Sequence, residues 1–74
     1  MRHTLTIRLQ NEAGALLRVA GLFAARGVNI DALEVHATEE PDISLLTLKV
    51  QGDSARVEQI LKQTRKLVDV LVAE

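Results

Sequence analysis

The 74 residues leave room for a single core, so 1–74 reads as one domain. With no Cys, a disulfide framework, a thiol nucleophile and thiolate metal sites are excluded, and a net charge of −1 with both signs interspersed gives no footprint for nucleic acid or anionic lipid. So short a chain buries only about 60% of its unfolded surface, and with 47% hydrophobic residues it is expected to share an apolar surface in a homodimer or higher homo-oligomer.

The first segment, residues 3–9, alternates with Leu5, Ile7 and Leu9 on one side and Thr4, Thr6 and Arg8 on the other, which predicts a half-buried strand. It has no continuous apolar leader region, and no run in the chain approaches a membrane span; cytoplasm is the default expectation. A polar turn over 10–13 precedes a predicted helix from Gly14 to Arg26 with Leu16, Val19, Ala20 and Phe23 on its inner face. Gly27 is placed to end that helix in the left-handed conformation. Gly21, in mid-helix, costs about 1 kcal/mol relative to Ala, and a close approach to the sheet or to a partner helix is the expected reason.

From Val28 to about Thr38 the period returns to two, with Leu33, Val35 and Ala37 on one face. An acidic turn at Glu39-Glu40-Pro41-Asp42 leads into a strand over 43–51, in which Leu46, Leu48 and Val50 face the core and Ser44, Leu45, Thr47 and Lys49 the other face or the edge. Asp53 is the expected N-cap of a second helix with an inner stripe of Val57, Ile60, Leu61 and Thr64. A last strand over 67–72 would turn Val68, Val70 and Val72 inward. The order βαββαβ with right-handed crossovers predicts an α+β, ferredoxin-like domain, a four-stranded antiparallel sheet with both helices on one face.

That fold hosts many functions, so particular residues must decide. RNA binding through sheet-face aromatics fails because the only aromatic, Phe23, lies on the inner helix face. His3 and His36, with Asp31 and Glu34, lack ligand-pair spacing, so no metal site is expected. Glu39, Glu40 and Asp42 lack the ligand order of a Ca²⁺ loop and read as a solvated hairpin tip. Ser44 and Ser54 have no nucleophile context, and the superficial pair Arg18 and Asn29 of an acylphosphatase-like site comes with one turn glycine rather than an anion cradle. Arg18 reads as a solvated helix residue, and no catalytic residue is expected.

The stretch Asn11 to Ile30 is more informative. A polar turn at Gly14 leaves first-turn amides at the positive end of a helix, where a small carboxylate can bind without a basic side chain. Asn11 and Asn29 bracket that helix, and Asn29-Ile30 would supply the other half of the receptor.

Asn11 through Leu16, Gly21-Leu22-Phe23, Arg26-Gly27-Val28-Asn29-Ile30 and Lys66-Leu67-Val68-Asp69-Val70 together closely resemble the N-terminal ACT domain of the acetolactate synthase small regulatory subunit. The resemblance implies a feedback sensor, not an enzyme, in which two ACT domains meet edge to edge around a branched-chain amino acid, usually valine. Asn11, Ala13, Gly14, Ala15 and Leu16 of one copy would face Asn29 and Ile30 of the other. The implied partner is the catalytic large subunit, which carries thiamine diphosphate, Mg²⁺ and FAD; no cofactor is expected on this chain. In such a site the amides of Gly14 to Leu16 would hold the ligand carboxylate and the Asn11 and Asn29 oxygens its ammonium, within a neutral rim and against an aliphatic wall of Leu16, Ile30 and Leu17. Leu17 departs from the small hydroxylated residue frequent in the family, which implies a smaller pocket or a different use of that helix face. The chain also stops where many relatives continue into a second domain, as expected of a short-form subunit or an excised fragment. A purely structural or activating domain with a degenerate pocket, and a generic amino-acid-binding ACT module, are the alternatives.

Overall fold

A computed structural model describes residues 2–12 and 14–74. The elements are β1 (Arg2–Gln10), α1 (Ala15–Ala25), β2 (Asn29–Ala37), β3 (Ile43–Gln51), α2 (Ser54–Thr64) and β4 (Val70–Ala73). The strands form one antiparallel sheet in the order β2-β3-β1-β4, the expected ferredoxin-like arrangement.

Alternation decides what each central strand buries. Leu5, Ile7 and Leu9 of β1 and Leu46, Leu48 and Val50 of β3 turn toward the helices, where Ala15, Val19 and Phe23 of α1 and Val57, Ile60 and Leu61 of α2 close the core. Ser44 shares that inner phase and is buried, contrary to its expected place on the other face or the edge. Gly27 has φ 73° and carries the chain from α1 into β2. The Asp53 carboxylate accepts from the Arg56 amide, so it caps α2 as expected. A Cβ at Gly21 would meet nothing within 4 Å, so no close approach inside the chain explains that glycine.

The C-terminal strand differs most from expectation. It begins at Val70, and a register shift at Arg8/Leu9 lets Val70 and Ala73 point inward while Val72 faces out and Val68 lies outside the strand, 87% exposed. The physical reason is Asp69, which turns inward to an ion pair with Arg18 and so sets the phase of β4.

β2 is a free sheet edge nine residues long without Lys, Arg or Pro. Leu33 and Val35 pair with Leu48 and Leu46 and so share the helix-side face, yet they remain 40% and 50% exposed. Polar residues, Asn29, Asp31, Glu34 and His36, alternate with apolar ones along β2, and the unpaired backbone of a free edge of this length is a template for pairing with another chain.

Candidate functional site

The β1–α1 turn is fastened to the β2–β3 hairpin. The Asn11 amide donates to the Asp42 carbonyl at 2.7 Å, its Nδ2 to the Pro41 carbonyl at 3.3 Å, and its Oδ1 accepts from the Ser44 hydroxyl at 3.1 Å. Asn11 therefore bridges two loops some thirty residues apart. Its oxygen, assigned to a ligand ammonium from sequence, already has one internal donor. Ser44 was not legible as a partner because nothing local in the sequence pairs it with the turn.

Gly14 precedes α1 with φ 91° and ψ −14°, a conformation that side chains resist. The Ala15 amide donates to the Glu12 carbonyl at 3.1 Å, so it is not free for a ligand, and the Ala15 side chain is fully buried. Leu16 is half-buried at the core margin. Ala13, also expected in the site, lies outside the described residues.

Arg18 is exposed, as expected of a solvated helix residue, with 49% of its side chain accessible, but it is also paired. Its Nε donates to Asp69 Oδ2 at 2.6 Å and its Nη2 also contacts that oxygen, while the Asp69 side chain is only 6% exposed. The remaining nitrogen, Nη1, lies 3.2 Å from where a Cβ on Gly14 would stand. A cation thus sits against the turn that was expected to work without one.

The other half lies at Asn29 and Ile30. Asn29 Nδ2 donates to Asp31 Oδ1 at 2.8 Å, and Asp31 Oδ2 accepts from Gln51 Nε2 at 2.8 Å, with Arg2 3.9 Å away. Ile30 packs half-buried on the core margin. In the sequence Asp31 stands out only as part of a rejected metal set, yet it is the charged neighbour of Asn29. A guanidinium paired with Asp69 thus stands beside the Gly14 turn, and a carboxylate 3.9 Å from Arg2 stands beside Asn29.

Within one chain these halves stay apart. Asn29 pairs with Gln51 at one end of β3, whereas Asn11 bonds Ser44 and the hairpin at the other. The seven steps of β3 from Gln51 to Ser44 span about 24 Å at ~3.4 Å per residue. A cleft of about 450 Å³ beside Asn11 is rimmed by Glu12, Glu40 and Asp42 and does not reach Asn29. The two histidines are also separated: His3, opposite Val50, bonds the Gly52 carbonyl, and His36, opposite Leu45, bonds Glu34.

A βαββαβ sheet with a glycine turn before α1 and a Gly-Val-Asn-Ile step into β2 defines an ACT-type domain. Residues 5–72 match the model of the AHAS (acetohydroxyacid synthase, that is, acetolactate synthase) small subunit-like ACT domain. The chain is 52% identical over 71 residues to the acetolactate synthase isozyme 3 small subunit of Escherichia coli, covering 96% of this chain and 44% of that protein. It is 46% identical over 71 residues to the probable acetolactate synthase small subunit of Archaeoglobus fulgidus, covering 96% and 45%. The crystal structure of the acetolactate synthase small subunit from Thermotoga maritima superposes with a TM-score of 0.89 at 39% identity, over all of this chain and 46% of that one. The ACT domain of GTP pyrophosphokinase from Chlorobium tepidum shares the fold alone, at TM-score 0.83 and 16% identity. The chain belongs to the family of acetolactate synthase small subunit-like ACT domains. It spans less than half the length of these curated relatives, which are named as small subunits and not as catalytic chains. Among the described residues no helix is long and apolar enough to cross a membrane.

Proposed function

We propose that this chain is a regulatory module that binds a branched-chain amino acid, valine foremost, between two copies and conveys its presence to the catalytic subunit of acetolactate synthase as feedback inhibition. One observation carries the reading: the two half-sites lie at opposite ends of the sheet, and β2 is a free edge. Antiparallel pairing of two β2 edges about a twofold axis brings Asn29 and Ile30 of one copy to the hairpin end of the other, where Asn11 and the Gly14 turn lie. Each copy then completes its neighbour's site, and Leu33 and Val35 lose their exposure. In such a cage the ligand carboxylate meets the Gly14 turn and its ammonium meets Asn29 and Asp31. Leu16 and Ile30 form the aliphatic wall, and each ligand methyl gains only about 0.8 kcal/mol there, so valine, leucine and isoleucine are separated mainly by shape.

Calorimetric titration with valine tests this. Saturable heat with a rise in melting temperature is expected; no heat and no thermal shift at millimolar valine removes the sensor reading for this chain.

A second reading is favoured by the internal bonds of Asn11 and Ala15, which occupy groups a ligand would need. In that reading the domain holds the catalytic subunit in its active form around a degenerate pocket. Activation of the catalytic subunit that valine does not alter would select it.

A further inference from the structure

Asp69 holds both flanks of the turn that precedes α1. Its backbone carbonyl accepts from the Gln10 amide at 2.8 Å, on the strand entering the turn, and its buried carboxylate grips Arg18, one helical turn beyond it. Residues 10 and 18 are thereby fastened to one residue, and that residue stands immediately before β4. Gly14 fits the same arrangement, because Arg18 Nη1 lies only 3.2 Å from where a Cβ there would stand. We propose that Asp69 and Arg18 are the positioning pair of the ligand site: they hold the Gly14 turn in its receptive shape and link that shape to β4. The proposal rests on reading the turn as half of the amino-acid site.

The chemistry sets what each member does. A buried carboxylate without a partner is costly, so Asp69 keeps the guanidinium in place. The guanidinium's planar fork fixes its orientation, which a lysine ammonium cannot reproduce. Any movement of the turn that shifts Arg18 or Gln10 must therefore displace Asp69, at the start of the strand that forms one edge of the sheet.

The test uses Arg18→Lys, Arg18→Gln and Asp69→Asn in the 74-residue chain, with amide hydrogen exchange read without ligand and valine affinity read by titration. Arg18→Lys keeps a charge for Asp69 and so guards against loss of the fold. Exchange at Asn11, Glu12 and Ala15 is expected to quicken about tenfold in Asp69→Asn while the β1–β3 ladder is unchanged, a local opening rather than a global one. Valine affinity is expected to fall about tenfold, the scale for groups that hold a site without touching the ligand. Arg18→Lys should fall between wild type and Arg18→Gln in both readouts. Unchanged exchange and affinity in Asp69→Asn and Arg18→Lys overturn the proposal, as does acceleration spread evenly over all elements, which marks a role in stability alone. Selective acceleration at the turn in a chain whose wild type binds no valine sinks the ligand reading and leaves the positioning role supported.

Discussion

Replacing Gly14 with Ala puts a methyl group where backbone and neighbour both resist it. At φ 91° a non-glycine residue costs about 1–2 kcal/mol. The new Cβ also stands 3.2 Å from Arg18 Nη1, so that nitrogen must give by a few tenths of an ångström, which strains the guanidinium's pairing with Asp69. Breaking a buried pair outright is far more damaging, but Arg18 keeps 49% of its side chain in water, and this loss is discounted to about 1 kcal/mol. The sum is a destabilisation of about 2–3 kcal/mol. Urea unfolding followed by circular dichroism at one fixed protein concentration measures it, and with a slope of about 1 kcal/mol per molar the midpoint drops by about 2–3 M. Gly21→Ala is the matched control: it lies in the same helix in open space, and removing a mid-helix glycine stabilises by about 0.8–1 kcal/mol. Equal midpoints for Gly14→Ala and wild type would refute both the backbone argument and the packing of Arg18 on the turn.

Three further outcomes rest on the same contacts. Leu33→Asp combined with Val35→Lys should give a folded chain that sediments as a monomer at micromolar concentration, because both side chains are half-exposed on the free edge; an unchanged sedimentation coefficient would remove the β2 interface. Asp53→Ala loses the α2 cap and should cost about 1 kcal/mol in urea unfolding with valine affinity unaffected. Phe23→Ala empties the largest fully buried position and should cost about 3–5 kcal/mol, enough to unfold much of the population at room temperature by circular dichroism.

Much of the architecture could be read from the residues because the β1–β3 ladder and the two helices keep one period from end to end. Leu5, Ile7 and Leu9 have no competing demand on their phase, and Val57, Ile60, Leu61 and Thr64 face inward at helical spacing beneath a capping Asp53. β4 could not be read that way. The alternation of Val68, Val70 and Val72 suggests one inward face, but the ion pair of the buried Asp69 carboxylate and a register shift outweigh it. In the candidate site the turn was legible and its bonding was not. Glycine chemistry marks the turn locally, whereas the partners that occupy Asn11 and Arg18 lie 30 to 51 residues away, beyond any local pattern. Asp31 was weighed only as a metal ligand because its bond to Gln51 depends on the β2–β3 register.

The most direct measurement is an isotope-filtered nuclear Overhauser experiment on a mixed sample, in which half the chains carry labelled Leu and half carry labelled Ile, with methyl-labelled valine added. The account predicts contacts from one bound valine to Leu16 of one copy and to Ile30 of the other. Contacts confined to a single copy, or directed to the outer sheet face around Leu45 and Val72, would contradict it.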